Sequence, residues 1–312
     1  MLSHMRYTII FPVYNEEENI ENIYKQTARV MNTLKNKYEI IFVNDGSFDN
    51  TPDMLSRLHE KYPEVKIINF SRNFGHQTAV TAGLHHAIGE AIAILDADLQ
   101  DPPEILPRFF KKLEEGYDAV YAVRKKRKEN IFKRGMYSMF YRLLKKIADT
   151  DIPLDSGDFC VMSKRMVRTM NSLPERNRFI RGIRSWVGYK QCGIEYERNA
   201  RSAGESKYTL RKMFKLAFDG IFSFSYIPLQ LMFFIGFFSL MLSFLGIIIA
   251  FYMKFFTQNY TRVPGFASTF ILLMFIGGLV LFSIGILGEY IRRIYDEIKQ
   301  RPPYIIESKI GF

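Results

Sequence analysis

The chain has 312 residues, with 43 lysines and arginines against 32 aspartates and glutamates and a formal charge of +11. That length allows one large core plus an appendage. The basic excess would suit nucleic acid, but it collects beside two apolar runs, with Lys207, Arg211, Lys212 and Lys215 before the first and Arg292, Arg293, Lys299 and Arg301 after the second. Anionic lipid is therefore the expected partner and nucleic acid is not.

From Tyr7 onward, short β-rich runs alternate with helical patterns. In chain order these are the strand YTIIFPV, a helix through Glu17 to Asn36, the strand YEIIFVN, a helix near Pro52 to Lys61, and the strand VKIINF. A helix from about His76 to Ile88, the strand AIAILDAD, a helix after Pro103 and the strand DAVYAV follow. Strand and helix in turn predict βαβ units and a mostly parallel sheet covered on both faces. Ligands of such sheets sit at the carboxyl ends of the strands, where this chain places Tyr14-Asn15-Glu16, Asn44-Asp45-Gly46, Asn73-Phe74-Gly75-His76 and Asp96-Ala97-Asp98. No GxGxxG follows the first strand and no GxxxxGK[ST] occurs, which disfavours an ordinary dinucleotide site and a P-loop.

Farther along, Lys207 to Phe224 alternates basic and apolar residues at helical spacing, the pattern of a helix lying in a membrane interface. Ile227 to Phe251 and Phe266 to Leu287 are long enough to cross a bilayer. The loop between them carries only Lys254 and Arg262, so the positive-inside bias predicts a hairpin with both termini in the cytoplasm. No signal peptide is read ahead of the first strand. Cys160 and Cys192 are then expected to be thiols in a reducing compartment. Four glycines in the second run, Gly277, Gly278, Gly285 and Gly288, point to self-association and hence a homo-oligomer.

The run AIAILDADLQDPPE ends an apolar strand in crowded acids. Asp96, Asp98 and Gln100 form an oxygen-donor set suited to Mg²⁺ or Mn²⁺. A metal ion can hold a diphosphate where no glycine cradle does. Among the histidines, His85 and His86 are adjacent and so point to different faces, which argues against a metal site. His76 is placed to cap a helix or touch a nucleotide.

FPVYNEE, VNDGSFDNT, FGHQTA, DADLQDPPE, SGDF and RSAGESKY occur in that order. Together they resemble the family 2 glycosyltransferases of GT-A fold, an α/β class with a Rossmann-like, mostly parallel sheet. RSAGESKY and the two apolar runs resemble the polyisoprenyl-phosphate branch, which includes dolichyl-phosphate mannose synthases and bacterial undecaprenyl-phosphate (bactoprenol) glucosyltransferases. The resemblance implies a GT-A domain over residues 1–206, a juxtamembrane helix over 207–225, two transmembrane helices within 226–290 (about 227–251 and 266–288), and a cytoplasmic tail over 291–312.

It also implies roles. Pro12, Tyr14, Glu16, Val43 and Asp45 fall where the family binds the base and ribose of a nucleotide sugar, with Ala97, Asp98, Gln100, Arg124, Arg201 and Lys207 completing the donor site. Asp96, Asp98 and Gln100 match the metal set, and Asp98 and Asp158 the catalytic carboxylates. Arg201, Ser206, Lys207, Arg134 and Ser138 are candidates for the acceptor phosphate. Pro12 and Val43 also read as plain strand packing, and Asp45 as a cap for the turn at Gly46.

The implied reaction is inverting transfer of a sugar, glucose from UDP-glucose, to polyisoprenyl phosphate (undecaprenyl phosphate). A dolichyl-phosphate mannose synthase using GDP-mannose is an alternative. A processive polysaccharide synthase is a rival reading, although FIRGIRSWVGY lacks the QxxRW of such enzymes. A nucleotide-sensing membrane module without turnover is another.

Overall fold

In the computed structural model the described residues are 6–124, 156–176, 178–196, 227–256 and 265–312. The elements are β1 (Tyr7–Val13), α1 (Ile20–Thr33), β2 (Tyr38–Asn44), α2 (Thr51–Lys61), β3 (Val65–Phe70), α3 (His76–His86) and β4 (Ala91–Ile94). A 3₁₀ turn (Pro103–Ile105), α4 (Leu106–Glu114), β5 (Ala119–Arg124), β6 (Ser156–Ser163), α5 (Lys164–Ser172), α6 (Ile180–Val187) and β7 (Gln191–Tyr196) come next. α7 (Ile227–Phe256), α8 (Gly265–Ile298) and β8 (Ile306–Ile310) complete the chain.

The strands form one sheet in the order β7-β5-β6-β4-β1-β2-β3-β8. β1 to β5 and β7 share one direction, while β6 opposes β4 and β5, and β8 opposes β3. The mostly parallel sheet expected from the alternation is present. Its central strands are covered on both faces: Ile9, Ile10, Phe11, Ile40, Ile41 and Phe42 are all fully buried, which is why they read as continuous apolar runs. Phe11 and Phe42 stack at 5.3 Å across neighbouring strands. Both cysteines are free.

The described residues fall into two units. One holds the sheet and its helices, including Arg301–Phe312; the other holds α7 and α8. Within the second, two stretches, Ile227–Gly246 and Leu272–Ile298, are long and apolar enough to cross a membrane. The helices touch where Ser283 Oγ meets Met232 Sδ at 3.2 Å.

Two boundaries differ from the sequence expectation. The second long helix does not stop near residue 288 but runs to Ile298. Its polar end holds together because Glu289 pairs with Arg292 at 2.6 Å and Arg293 at 3.1 Å, at helical spacing. Residues 291–312 are accordingly not a simple tail: the segment finishes α8 and then supplies β8. The expected helix over 207–225 lies outside the described residues.

Candidate active site

The site is built at the carboxyl ends of β1, β2, β3 and β4. Beyond β2 the chain must turn at once, and Gly46 does this with φ +68°. A Cβ there would lie 2.5 Å from the Arg72 carbonyl carbon and 2.7 Å from the Asn73 nitrogen, so the 71–75 loop rests directly on the glycine. Gly46→Ala is therefore expected to destabilise the sheet unit by about 2 kcal/mol, through a left-handed alanine plus a backbone clash. A lower melting temperature for the purified variant, by about 5 °C, checks this.

Asp45 fastens the same loop. Its two carboxylate oxygens accept the Phe74 N–H at 2.6 Å and the Gly75 N–H at 2.9 Å. Burial pushes its pKa up, and the two amides pull it back only in part. Sequence reasoning offered a cap at Gly46 or a contact to nucleotide; the structure gives Asp45 a third task, holding the chain after β3. Beside it, Asn44 accepts from the Ser47 N–H at 3.0 Å and donates to Asn69 Oδ1 at 3.0 Å.

Tyr14 meets Phe48 edge-on at 6.0 Å, and Phe48 is 81% exposed, an aromatic ring turned outward beside the end of β1. Glu16 accepts from the Asn19 amide at 2.7 Å. Pro12 is half-buried and registers with Val43. Val43 is fully buried, so its side chain packs in the sheet and only its backbone is left for a ligand.

After β4 the chain bends sharply, with Leu99 in the left-handed region at φ +59°. A buried leucine rarely adopts that conformation, and here it separates Asp98 from Gln100. Asp98 is buried and accepts the Gln100 N–H at 3.2 Å. Asp101 is buried and accepts the Tyr196 hydroxyl, which ties this turn to β7.

Asp96 and Asp158 face each other across His76. The imidazole Nε2 lies 3.3 Å from Asp96 Oδ1 and 3.6 Å from Asp158 Oδ2. Asp158, on β6, is buried and pairs with Arg181 of α6, Nε to Oδ1 at 2.6 Å and Nη2 to Oδ2 at 3.1 Å. Gln77 donates to Asp158 Oδ2 at 3.1 Å and accepts the Ile180 N–H at 2.9 Å, tying the start of α3 to the start of α6.

The two carboxyls are pushed in opposite directions. Burial raises Asp158, but the charge and hydrogen bonds of Arg181 outweigh it and, with His76 and Arg184, hold the group well below the usual carboxylate range. Asp96 is pushed up to about 6, first by burial and then by Asp101, Asp158 and Asp98, with His76 opposing. At Asp96 burial and the neighbouring acids outweigh His76, whereas at Asp158 the cations outweigh burial. Such separation of neighbouring acids is typical of working sites.

The structure brings Asp96, Ala97, Asp98, Gln100 and Asp158 to one end of the sheet, near Asp45. Sequence reasoning missed Arg181 and Gln77, although both lie within stretches it had singled out, FIRGIR and FGHQTA. Arg124 ends β5, but its side chain lies outside the described residues, as do Arg134, Ser138, Arg201, Ser206 and Lys207. Among the described residues, no three His, Cys, Asp or Glu side chains converge as a self-sufficient metal site.

Known proteins resemble the chain along its length. The glycosyltransferase YkcC of Bacillus subtilis (strain 168), described as uncharacterized, is 48% identical over 312 residues, covering 100% of this chain and 96% of the relative. The bactoprenol glucosyl transferase of Shigella phage SfX is 42% identical over 308 residues, covering 98% of this chain and 100% of that one. Among solved structures, the mannosyltransferase PcManGT from Pyrobaculum calidifontis, in complex with GDP-Man and Mn²⁺, aligns with a TM-score of 0.48 and 21% identity over 71% of this chain and 64% of its own. The glycosyl transferase family 2 pattern matches residues 8–170, a span that contains Asp45, Asp96, Asp98 and Asp158, and with full-length relatives of this similarity the chain belongs to glycosyl transferase family 2.

Proposed function

We propose that the chain transfers glucose from UDP-glucose to undecaprenyl phosphate with inversion, giving a lipid-phosphate-linked monosaccharide and a nucleoside diphosphate. The observation that carries this reading is the convergence of Asp96, Asp98 and Asp158 at the carboxyl end of the sheet, in a chain matched along its length by bactoprenol glucosyl transferases. Two apolar helices suit a lipid acceptor. In this reading both termini are cytoplasmic, and the chain self-associates through the glycines of α8.

The donor set of Asp96, Asp98 and Gln100 fits Mg²⁺ or Mn²⁺: hard oxygen ligands, two of them acids that repel each other. Because these side chains alone are too few for a complete shell, the remaining positions suit diphosphate and water oxygens. When bound there, the ion supplies charge neutralisation for the departing diphosphate.

The protein's own groups do the rest. The 71–75 loop and Asp45 shape the base and ribose end, beside the half-buried Tyr14 and the exposed Phe48. Asp158, tied by Arg181 and Gln77, is too weak a base to take a proton efficiently. It has none to take from a phosphomonoester whose second pKa is near 6, which is about nine-tenths dianionic at neutral pH. Its role is to orient sugar or acceptor and to present a fixed negative charge where positive character develops at the anomeric carbon. Arg201, Ser206 and Lys207 are assigned to the acceptor and donor phosphates by their position in RSAGESKY.

A donor panel tests the reading. UDP-glucose with undecaprenyl phosphate is expected to give one lipid-linked hexose, at least tenfold faster than GDP-mannose, and EDTA to stop the reaction. Polymer in place of monosaccharide, faster mannose transfer, or nucleotide binding with no turnover would each overturn it.

A further inference from the structure

The chain that follows α8 comes back to the sheet and reaches the loop that Asp45 fastens. β8 pairs with β3 through Ile67↔Ile310, Ile68↔Lys309, Asn69↔Ser308 and Phe70↔Ile306, with a register shift between Asn69 and Phe70. Past that shift the Ser71 N–H donates to the Ile305 carbonyl at 3.1 Å, so the pairing extends to the first residue of the loop.

Side chains continue the connection. Tyr304 stacks on Phe70 with ring centroids 5.0 Å apart and 13° between planes. Phe70 meets Phe74 edge-on at 5.7 Å, the Arg72 guanidinium covers the Phe74 ring at 4.1 Å, and the Phe74 N–H is the donor to Asp45. The Tyr304 hydroxyl lies 2.9 Å from His85 Nδ1, in the last turn of the helix whose first residue is His76. A polar line runs parallel: Ser308 Oγ accepts from Asn69 at 3.0 Å, and Asn69 accepts from Asn44, the neighbour of Asp45. Covering the β3 edge would need only the ladder. The aromatic series adds a stiff connection from the C-terminal segment to the loop, because stacked and edge-on rings hold defined geometries.

We infer that Tyr304 is a positioning residue for the sugar-nucleotide site, acting through Phe70 and Phe74 on the 71–75 loop and so on Asp45. This rests on reading the ends of β1, β2 and β4 as the donor site.

The test uses the full chain with UDP-glucose and undecaprenyl phosphate, together with amide hydrogen exchange. Tyr304→Ala is expected to raise KM for UDP-glucose about tenfold, with kcat and KM for the lipid changed less than about twofold. Phe74 and Gly75 amides should exchange about tenfold faster, while those of β1 and β2 hold. Tyr304→Phe keeps the ring and should stay within about twofold of the unsubstituted protein in KM. An unchanged donor KM in Tyr304→Ala, or a fall in kcat alone as partial unfolding gives, overturns the inference. If the unsubstituted protein itself turns over no UDP-glucose, the donor reading is what fails. The exchange rates of Phe74 and Gly75 then decide alone: faster in Tyr304→Ala upholds the tail's hold on the loop, and unchanged overturns it.

Discussion

Replacing Asp96 and Asp98 together by asparagine is expected to lower kcat for sugar transfer by about a thousandfold or more, matching the effect of EDTA on the unsubstituted protein. Asparagine has nearly the same shape and keeps an oxygen to accept the Gln100 N–H that Asp98 now accepts. The substitution therefore removes charge and leaves the turn around Leu99 as it is. Asp96 is pushed up to about 6 by burial and by three neighbouring acids, so the metal-free protein carries a repulsion there that asparagine abolishes. Folding stability should consequently hold or rise while activity is lost. The same logic gives a pH dependence for metal-free protein. A carboxyl whose folded pKa lies above its unfolded value of 3.8 costs stability as pH climbs from about 4 to about 6. The melting temperature should drop across that window, and the drop should be smaller in the double variant, where, of the described acids raised in the fold, only Asp45 remains. Full-speed transfer by that variant, or after rigorous chelation, would remove the metal from the mechanism.

The parts of this site that were legible in the sequence are those where local pattern and function coincide. Asp96 and Asp98 stand out because acids end an otherwise apolar strand, and β1 to β5 because runs of buried residues alternate with helical periodicity. Asp158 was found through resemblance in SGDF, but not the strand that carries it. β6 lies between β4 and β5 and opposes both, a position no local signal announces. Arg181 and Gln77 were missed for a related reason: they lie 23 and 81 residues from the carboxylate they serve. Residue type alone does not tell a guanidinium that holds a buried acid from one on a surface. β8 was hidden differently. IESKI alternates weakly, as edge strands do, and the 34-residue α8 stands before it, so its pairing with β3 depends wholly on tertiary structure.

The Asp158–Arg181 pair allows catalysis and stability to be separated. Arg181→Met leaves Asp158, only 7% exposed in its side chain, as a buried charge without its main cation, and is expected to cost about 3–5 kcal/mol of folding stability. Asp158→Asn costs less, about 1–3 kcal/mol, since Asn keeps an acceptor for the guanidinium and Arg181 has more access to water. Combining them removes both charges, so the double variant should be more stable than Arg181→Met alone, a favourable coupling measurable by a denaturation cycle. Activity should follow a different order. Asp158→Asn lowers transfer by about a thousandfold, Arg181→Met by about a hundredfold through misplacement of the carboxylate, and the double variant no less than Asp158→Asn, because restored stability cannot return the missing charge. Acid behaviour gives an independent check. A carboxyl held far below its unfolded value of 3.8 contributes stability that is full above that value and is lost as pH falls beneath it. Unsubstituted protein should therefore lose this stability only under strongly acidic conditions, and Asp158→Asn should not show that loss. If Asp158→Asn instead transfers sugar at nearly the normal rate, the carboxylate only holds α6 and α3 to the sheet, and the chemistry must rest on the acids after β4 alone.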